Sequence, residues 1–444
     1  MIMLIIQKIL LKILAQNTNG NADYELYANG ELIDSQSNIN FYNGYQFDNL
    51  TENQYCELHV TQNGSTVERK FTILVNNTSI ESIPESLEDG INYNDNDNTR
   101  ATLVLSAPYK DFIYVAGDFN FWSPTSEYAM KKDSSSERFW IEIEGLEPGQ
   151  TYTYQYWVSD LSPIDESPSL VKTADPFSTM VLSPFDDPWI PDTSYPNLQD
   201  YPYDFGIERE VTVLKTGQES YNWQVEDFEK PKEEDLIIYE VLIRDFDSER
   251  TFQNLIDRID YFKDLNINAI ELMPVMEYEG NESWGYNTAF HMSLDKFYGP
   301  EEKLKQFIDL CHQNGIAVIL DIALNHITGR SPFVRMWMND ADNNGWGSVS
   351  EENPYLNEVA KHSYSVFEDF NHQSDLTQYY TKRVIKHWVE EFKIDGFRWD
   401  LTKGFTQNCN AGDDGCTNAY QQDRVDVLKS YADYSWSLDP DHYV

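Results

Sequence analysis

The second half of the chain alternates between short apolar runs and segments whose apolar residues recur every three or four positions. The runs are LIIYEVLI (236–243), AIELMPV (269–275), AVILD (317–321) and IDGFRWD (394–400). Runs of this length predict strands covered on both faces. The segments between and after them have helical periodicity, for example Phe252, Leu255, Ile256, Ile259 and Phe262. Four βα units in series predict an α/β fold with a parallel sheet.

Two architectures fit this alternation, a (β/α)8 TIM-type barrel and a doubly wound sheet. The barrel is favoured because Asp321 and Asp400 lie where strands end, and barrel active sites form at the carboxyl ends of strands. A barrel needs about 250 residues, and only the segment 235–444 is left for it. We therefore expect the first half of a barrel, with HYV (442–444) opening a fifth strand.

The first half of the chain has a different pattern, with short alternating runs separated by turn residues. Between 17 and 80, Asn-Gly pairs at 19–20, 29–30, 43–44 and 63–64 split runs such as YELYA and KFTILV, which predicts a small β-sandwich module. Residues 81–100 are polar and read as a linker. A second β domain is predicted at 101–160, followed by a connector rich in Pro, Asp and Tyr at 161–234.

Composition supports folded cores and excludes one class of partner. Hydrophobic residues make up 41% of the 444 residues, and the formal net charge is −43. A surface with this much negative charge repels phosphate backbones. Nucleic acid is therefore excluded as a partner. A neutral polar substrate and an extracellular habitat fit this charge, and so does a simple solubility role.

The N-terminal segment 1–16 and the cysteines bear on the cellular compartment. MIMLIIQKILLKIL is too short to span a bilayer and resembles the apolar part of a signal peptide, with an amphipathic helix or a misplaced start codon as alternatives. No other segment predicts a membrane span. Cys409 and Cys416 bracket a loop and would form a local disulfide if the protein is exported. Extracellular or periplasmic and cytoplasmic locations both stay open.

The residues with the strongest chemical signal are in GFRWDLTKG (396–404) and DIALNH (321–326). Arg398 and Asp400 are two residues apart, and alternate residues of a strand share a face. A guanidinium beside a carboxylate favours the charged form that a nucleophile needs. An ion pair of purely structural value is the alternative.

Four motifs in order, YEVLIRDF (239–246), WGYNTAFHMSLDKFYG (284–299), DIALNH and GFRWDLTKG, resemble glycoside hydrolase family 13, the α-amylase family. The string VAGDFNFW (115–122) with GLEPGQTYTYQY (145–156) resembles the early-set domain, related to family 48 carbohydrate-binding modules, that often precedes an amylase barrel.

The family resemblance implies a catalytic role for two residues. Asp400 matches the nucleophile and Arg398 the arginine that orients it. Asp321 matches the aspartate that braces this arginine. The acid/base glutamate is expected after the fifth strand, so we expect the polypeptide as given to be inactive by truncation.

The same resemblance implies further substrate-binding residues. Tyr286 matches a tyrosine that stacks on the reacting sugar, His326 a histidine that binds a sugar hydroxyl, and Lys403 a lysine of the leaving-group side. Asn325 matches a ligand of a structural calcium, with hydrogen bonding within the loop as the alternative. Gly404 departs from the histidine that many relatives have after the lysine, which puts the leaving-side subsite and a calcium ligand in doubt.

Tryptophans offer weaker signals. Trp337 and Trp346 are candidates for sugar platforms or for core residues, whereas Trp284 reads as packing. In the early-set domain we expect Trp122, Trp140 and Trp157 to be mostly core.

The predicted function is that of a retaining enzyme acting on starch, glycogen or maltooligosaccharides. The alternatives are a branching or transglycosylating enzyme of the same family and a non-catalytic glucan-binding protein. Hydrolysis and transfer cannot be separated from these residues.

Overall fold

The computed structural model describes residues 4–6 and 11–444, which form two compact units. Unit 1 comprises 1–146 and 154–172, and unit 2 comprises 147–153 and 173–444. Of the predicted signal-like segment 1–16, residues 1–3 and 7–10 lie outside the described residues, while Leu4–Ile6 is a strand. Most of the predicted connector, 173–234, belongs to unit 2. The finer domain boundaries given above stay predictions.

Unit 1 is built from β-sandwich sheets. Its strands are β1 (Leu4–Ile6), β2 (Leu11–Lys12), β3 (Ala15–Gln16), β4 (Ala22–Ala28), β5 (Glu31–Ile39), β6 (Phe41–Tyr42), β7 (Gln46–Phe47), β8 (Gln54–Gln62), β9 (Ser65–Val75), β10 (Gly90–Tyr93), β11 (Arg100–Ser106), β12 (Phe112–Gly117), β13 (Lys131–Lys132), β14 (Arg138–Glu144), β15 (Thr151–Ser159) and β16 (Leu170–Thr173). One sheet has the order β1-β9-β8-β4-β5 and another the order β10-β11-β14-β13, while β12 pairs with β15.

The Asn-Gly turns explain the register of the first sheet. Asn29-Gly30 joins β4 to β5 and Asn63-Gly64 joins β8 to β9, and all four residues have φ between 50° and 83°. Two left-handed residues in succession give the type I′ turn that matches strand twist. These two hairpins are confirmed. The pair at 43–44 is not a hairpin, because β6 pairs with β3 and β7 pairs with β2.

The tryptophans of the predicted early-set domain lie in its interior. Trp122, Trp140 and Trp157 are all buried. Lys172 lies over the ring of Trp157 and Lys131 over that of Trp140. The core interpretation of these side chains is therefore confirmed.

Unit 2 contains the predicted βα units. Its strands are β17 (Val181–Leu182), β18 (Val211–Lys215), β19 (Ile238–Val241), β20 (Ala269–Leu272), β21 (Met276–Tyr278), β22 (Thr288–Leu294), β23 (Ala317–Ile322), β24 (His326–Ile327), β25 (Met338–Asn339), β26 (Ser348–Val349), β27 (Glu368–Asp369) and β28 (Gly396–Trp399). Its helices are α1 (Ile243–Phe246), α2 (Phe252–Asp257), α3 (Ile259–Asp264), α4 (Glu301–Gln313), α5 (Pro332–Arg335), α6 (Asp375–Lys386), α7 (Asp414–Asn418) and α8 (Gln422–Leu438).

A four-stranded parallel sheet organises unit 2. Its order is β19-β20-β23-β28, the order of the strands in the chain, and Gly396 of β28 also bridges Tyr443 in the parallel sense. The order of a doubly wound sheet reverses at a switch point, and these four strands show no reversal. The fold is α/β, and the sheet is consistent with part of a TIM barrel.

One expectation about this sheet is wrong. The run LIIYEVLI was expected to be covered on both faces, but Ile238 of β19 is 47% exposed. Among the described residues, β19 pairs with a strand on one side only, β20. Every residue of β23, by contrast, is buried between two neighbours.

The helices that flank the sheet follow the predicted periodicity. The apolar stripe of α4, Leu304, Phe307, Ile308 and Cys311, is fully buried. Helix α6 continues into a π-helical turn at His387–Glu391 that buries Trp388. None of the described helices has the length and apolar character of a membrane span.

The cysteines divide into two kinds. Cys56 and Cys311 are buried free thiols, and burial raises the pKa of both. Cys409 and Cys416 form a disulfide that closes the loop between them. The local disulfide that the sequence left open is therefore present in the structure.

Replacing Leu320 with Ala tests the sheet as the stabilising core. Leu320 is fully buried on β23, in register with Leu272 and Phe397. The cavity left by the truncation should lower the free energy of unfolding by about 2–5 kcal/mol. Leu265→Ala, at a side chain 45% exposed, is the matched control and should cost about 0.5 kcal/mol or less. Urea unfolding followed by tryptophan fluorescence would measure both, and equal losses would contradict this account.

Candidate active site

The site begins with the register of two neighbouring strands. Asp321 on β23 is directly opposite Arg398 on β28. The amide of Asp400 then donates to the carbonyl of Ile322 at 3.0 Å, which holds the residue after β28 beside the end of β23. Parallel pairing thus brings the two sequence motifs to the same end of the sheet.

One guanidinium nitrogen joins the carboxylates. Arg398 Nη1 donates to Asp400 Oδ1 at 2.7 Å and lies 3.1 Å from both oxygens of Asp321. Hydrogen bonds between charged partners are about twice as strong as neutral ones. The hydroxyl of Tyr286 donates to Asp321 Oδ2 at 2.6 Å. Both predicted catalytic residues and two of the predicted substrate-binding residues therefore meet in one network.

The two carboxylates differ in their surroundings. Asp321 is fully buried, and burial raises its pKa to about 6 although Tyr286 and Arg398 act in the opposite direction. The side chain of Asp400 is 23% exposed. Burial disfavours the charge of Arg398, but the two aspartates outweigh it and raise the pKa of Arg398. Asp321 is thus an internal support, while Asp400 has a face open to a ligand.

His326 is held in one tautomer beneath Tyr286. Nδ1 lies 3.3 Å from the amide nitrogen of Asn325, which can only donate, so Nδ1 accepts. Nε2 then carries the proton and donates to the carbonyl of Tyr286 at 2.7 Å. Burial lowers the pKa of His326, so the ring is neutral. Both ring nitrogens are engaged within the protein, and the histidine fixes the backbone of Tyr286.

Lys403 has partners outside this network. It is exposed in the short 3-10 helix Thr402–Phe405, and its Nζ lies 2.6 Å from Asn418 Oδ1. Its ammonium also lies 5.6 Å from the centroid of the Tyr364 ring. Neither Asn418 nor Tyr364 carries a recognisable signal in the sequence.

The tryptophans near the site separate into core and surface. Trp337 is fully buried and therefore core, whereas Trp346 is partly exposed with Arg209 stacked 3.7 Å over its ring. The packing interpretation of Trp284 is wrong, because its side chain is 60% exposed. Gly285 explains this, since its φ of +92° and its close approach to Pro274 make a tight turn between Trp284 and Tyr286.

Known proteins resemble different parts of this chain. Residues 244–434 match the family described as alpha amylase, catalytic domain. Malto-oligosyltrehalose trehalohydrolase of Saccharolobus solfataricus is 30% identical over 42% of this chain and 31% of its own length. The 1,4-alpha-glucan branching enzyme GlgB of Bacillus subtilis is 26% identical over 73% of this chain and 46% of its own. The chain thus spans less than half the length of these relatives.

A solved structure extends the likeness to nearly the whole chain at the level of the fold. The pullulanase SAP of Group B Streptococcus has a TM-score of 0.54 and 17% identity, covering 98% of this chain and 57% of that one. The ordered motifs and the parallel sheet of unit 2 agree with the family match over 244–434, so this part of the chain resembles the catalytic domain of glycoside hydrolase family 13, the α-amylase family.

Proposed function

We propose that this chain carries the nucleophile of a retaining enzyme acting on α-glucans, with Asp400 as that nucleophile. The observation that carries the proposal is that Arg398 contacts two carboxylates, Asp321 and Asp400, which differ in burial. Asp321 is buried and occupied on both oxygens, whereas Asp400 keeps a face open at the carboxyl end of a parallel strand. The sheet belongs, in this proposal, to a (β/α)8 barrel, whose active sites lie at that end.

The chemistry follows from the geometry of two carboxyl groups. In a retaining glycosidase one carboxylate attacks the anomeric carbon while a carboxylic acid protonates the leaving oxygen. Arg398 Nη1 donates to Asp400 Oδ1, and the same nitrogen is braced by both oxygens of Asp321. The acid is not assigned to a residue of this chain. Tyr286, positioned by His326 and Asp321, forms the wall beside the reacting sugar.

Hydrolysis and glycosyl transfer share these steps. The covalent glycosyl-enzyme is opened by water in the first case and by a sugar hydroxyl in the second. The relatives include a trehalohydrolase and a branching enzyme, so the names of relatives do not decide between the two. Product analysis does, because only hydrolysis raises the number of reducing ends.

We place the protein in an extracellular or periplasmic compartment. The Cys409–Cys416 disulfide supports this, since disulfides persist in oxidising environments.

The first test removes the nucleophile. Asp400→Asn in the complete gene product should lower turnover of starch and maltooligosaccharides by at least about 10⁴-fold, by analogy with other nucleophile knockouts. Asp264→Asn, an exposed carboxylate at the end of α3, is the matched control and should leave turnover unchanged. Activity of the parent that survives Asp400→Asn would refute the assignment. A parent that binds glucans without turning them over would favour a binding protein.

The second test is the dependence on pH. Asp321 takes up a proton below about pH 6 and then loses the charge that braces Arg398. We expect kcat/KM to fall about tenfold per pH unit below that value. In Asp321→Asn, kcat/KM should be lower at every pH, and its decrease below about pH 6 should be absent.

The stability of the fold should increase as pH falls, whereas kcat/KM should decrease. The two effects of pH can therefore be told apart. The raised pKa of Asp321 means that the folded state binds the proton more tightly than the unfolded state. The contribution of Asp321 to stability is therefore present at acidic pH and lost as pH rises through about 6. A loss of activity near pH 5.5 that accompanied unfolding would contradict the proposed cause.

Calcium is the cofactor that the family resemblance implies at Asn325. Its Oδ1 is buried and lacks a hydrogen-bond partner among the described residues, as a cation ligand would. However, calcium takes six to eight oxygen ligands. The neighbouring carboxylate, Asp369, already accepts from His362 at 2.8 Å and from Asn357 at 2.7 Å. A Cβ built at Gly404 would lie 1.7 Å from Asn325 Oδ1, so backbone fills the space beside that oxygen.

These residues do not fit a calcium site, and we propose that Asn325 acts without the metal, by packing on Gly404 and orienting His326. The midpoint of thermal unfolding should then be the same in excess EDTA and in calcium chloride. Asn325→Ala should lower it, at a cost of about 1–3 kcal/mol, because His326 Nδ1 loses its donor. The proposal would be overturned if EDTA lowered the midpoint of thermal unfolding and calcium, but not magnesium, restored it.

A further inference from the structure

A buried lysine outside the proposed active site joins two segments of unit 2. Lys296 directly follows the turn after β22 and is only 2% exposed. Its ammonium lies 3.2 Å from Asp187 Oδ1 and also contacts Glu277 Oε1 on β21. Asp295 precedes it in the chain, and all three carboxyl groups are buried. We call these four residues the Lys296 cluster.

The Lys296 cluster contains three carboxyl groups and one ammonium. Burial disfavours the charge of Lys296, but Asp187 and Glu277 outweigh it and raise its pKa, so this side chain is charged. Burial raises the pKa of Glu277 well above its usual value and that of Asp295 to about 7, although Lys296 acts in the opposite direction. A buried charge without a partner is costly. Removal of the ammonium would therefore destabilise this part of the structure.

The cluster lies at the base of the hairpin that carries Tyr286. Strands β21 and β22 pair in the antiparallel sense, and the loop with Tyr286 lies between them. Asp295, directly after β22, accepts from the amide of Tyr278 in β21 at 3.4 Å. Asp187 belongs to a different segment, between β17 and β18. Its contact with Lys296 therefore fastens the base of the hairpin to that segment.

The neighbouring Asp186 fastens the same hairpin at its loop, residues 279–287. The carbonyl of Asp186 accepts from Asn281 Nδ2 at 2.9 Å, and its carboxylate contacts Arg330 Nη1. The amide of Arg330 in turn donates to Glu279 Oε1 at 3.3 Å. Two consecutive aspartates of one segment thus hold both ends of the hairpin.

We propose that Lys296 is a positioning residue for Tyr286. By pairing with Asp187 and Glu277, it fixes the base of the β21–β22 hairpin. The Tyr286 hydroxyl then reaches Asp321 Oδ2 at 2.6 Å, and a displacement of about 1 Å would take this pair beyond hydrogen-bonding distance. The catalytic part of this inference rests on the proposed function, whereas the fixing of the hairpin does not.

The first measurement is hydrogen–deuterium exchange of the complete gene product, which does not depend on activity. In Lys296→Met the amides of 279–287 should exchange about fivefold faster or more, because the hairpin opens more readily without its buried ion pair. The amides of β23 should keep the parent rate. Lys263→Met, at an exposed lysine on α3 that pairs with Asp260, is the matched control and should exchange as the parent does.

Two milder variants keep the test decisive if Lys296→Met does not fold. Asp187→Asn preserves the contact between Lys296 and Glu277, so exchange in 279–287 should rise by a smaller factor. The double variant Lys296→Met with Glu277→Gln should unfold at a higher temperature than Lys296→Met alone, because removing both partners of a buried pair costs less than removing one. It should still exchange faster in 279–287, since Asp187 has lost its partner.

The second measurement is the pH profile of kcat/KM on maltooligosaccharides. The hydroxyl of Tyr286 lowers the pKa of Asp321, so loss of this hydrogen bond raises it. The decrease expected below about pH 6 should therefore begin about half to one pH unit higher in Lys296→Met. Tyr286→Phe should show the same shift, and combining the two substitutions should add nothing further. Arg398 and Asp400, which also act on Asp321, are unchanged in all three variants.

The outcomes are distinguishable. If the parent is inactive on α-glucans, the proposed function fails and exchange alone decides whether Lys296 fixes the hairpin. Exchange in 279–287 at the parent rate in every folded Lys296 variant would refute the inference. Equal acceleration in 279–287 and β23 would show that the cluster supports unit 2 as a whole, and the positioning role would be overturned. A faster loop with an unshifted pH profile in an active enzyme would overturn the connection to Tyr286.

Discussion

The guanidinium of Arg398 between two aspartates is the interaction on which the site depends. A single nitrogen of this group contacts both Asp321 and Asp400, so the position of either carboxylate fixes that of the other. The buried Asp321 has a cost, since burial raises its pKa, and the charge of Arg398 with the hydroxyl of Tyr286 offsets it. Asp321 and Arg398 lie on adjacent strands and Asp400 directly follows the second of them, so the sheet fixes the positions of all three residues.

Neutral side chains position the residues around Arg398 and its two aspartates. His326 is buried and uncharged, and it connects Asn325 to the backbone of Tyr286. Asn325 in turn packs against Gly404, and a side chain at that position would collide with it. The loop after β28 and the loop after β23 are therefore matched in shape. This close contact explains why position 404 is a glycine.

The surface beyond Asp400 follows a different principle. There the chain is exposed and polar, and short elements are held by a disulfide and by the contacts of Arg424 with three carbonyls. The network around Asp400, by contrast, is anchored on the buried Asp321 and on neighbouring strands of the sheet.

The sequence by itself determined the βα alternation, the buried stripe of α4, two of the hairpins and the motifs that carry Asp321, Arg398 and Asp400. Those features depend on local periodicity or on strong turn residues, which neighbouring residues decide. Only the tertiary structure showed that Ile238 on β19 and Trp284 are exposed and that both ring nitrogens of His326 bond to protein groups. It also brought Tyr364 and Asn418 to Lys403. Contacts between residues distant in sequence leave no periodic pattern, because they arise only when separate loops pack together.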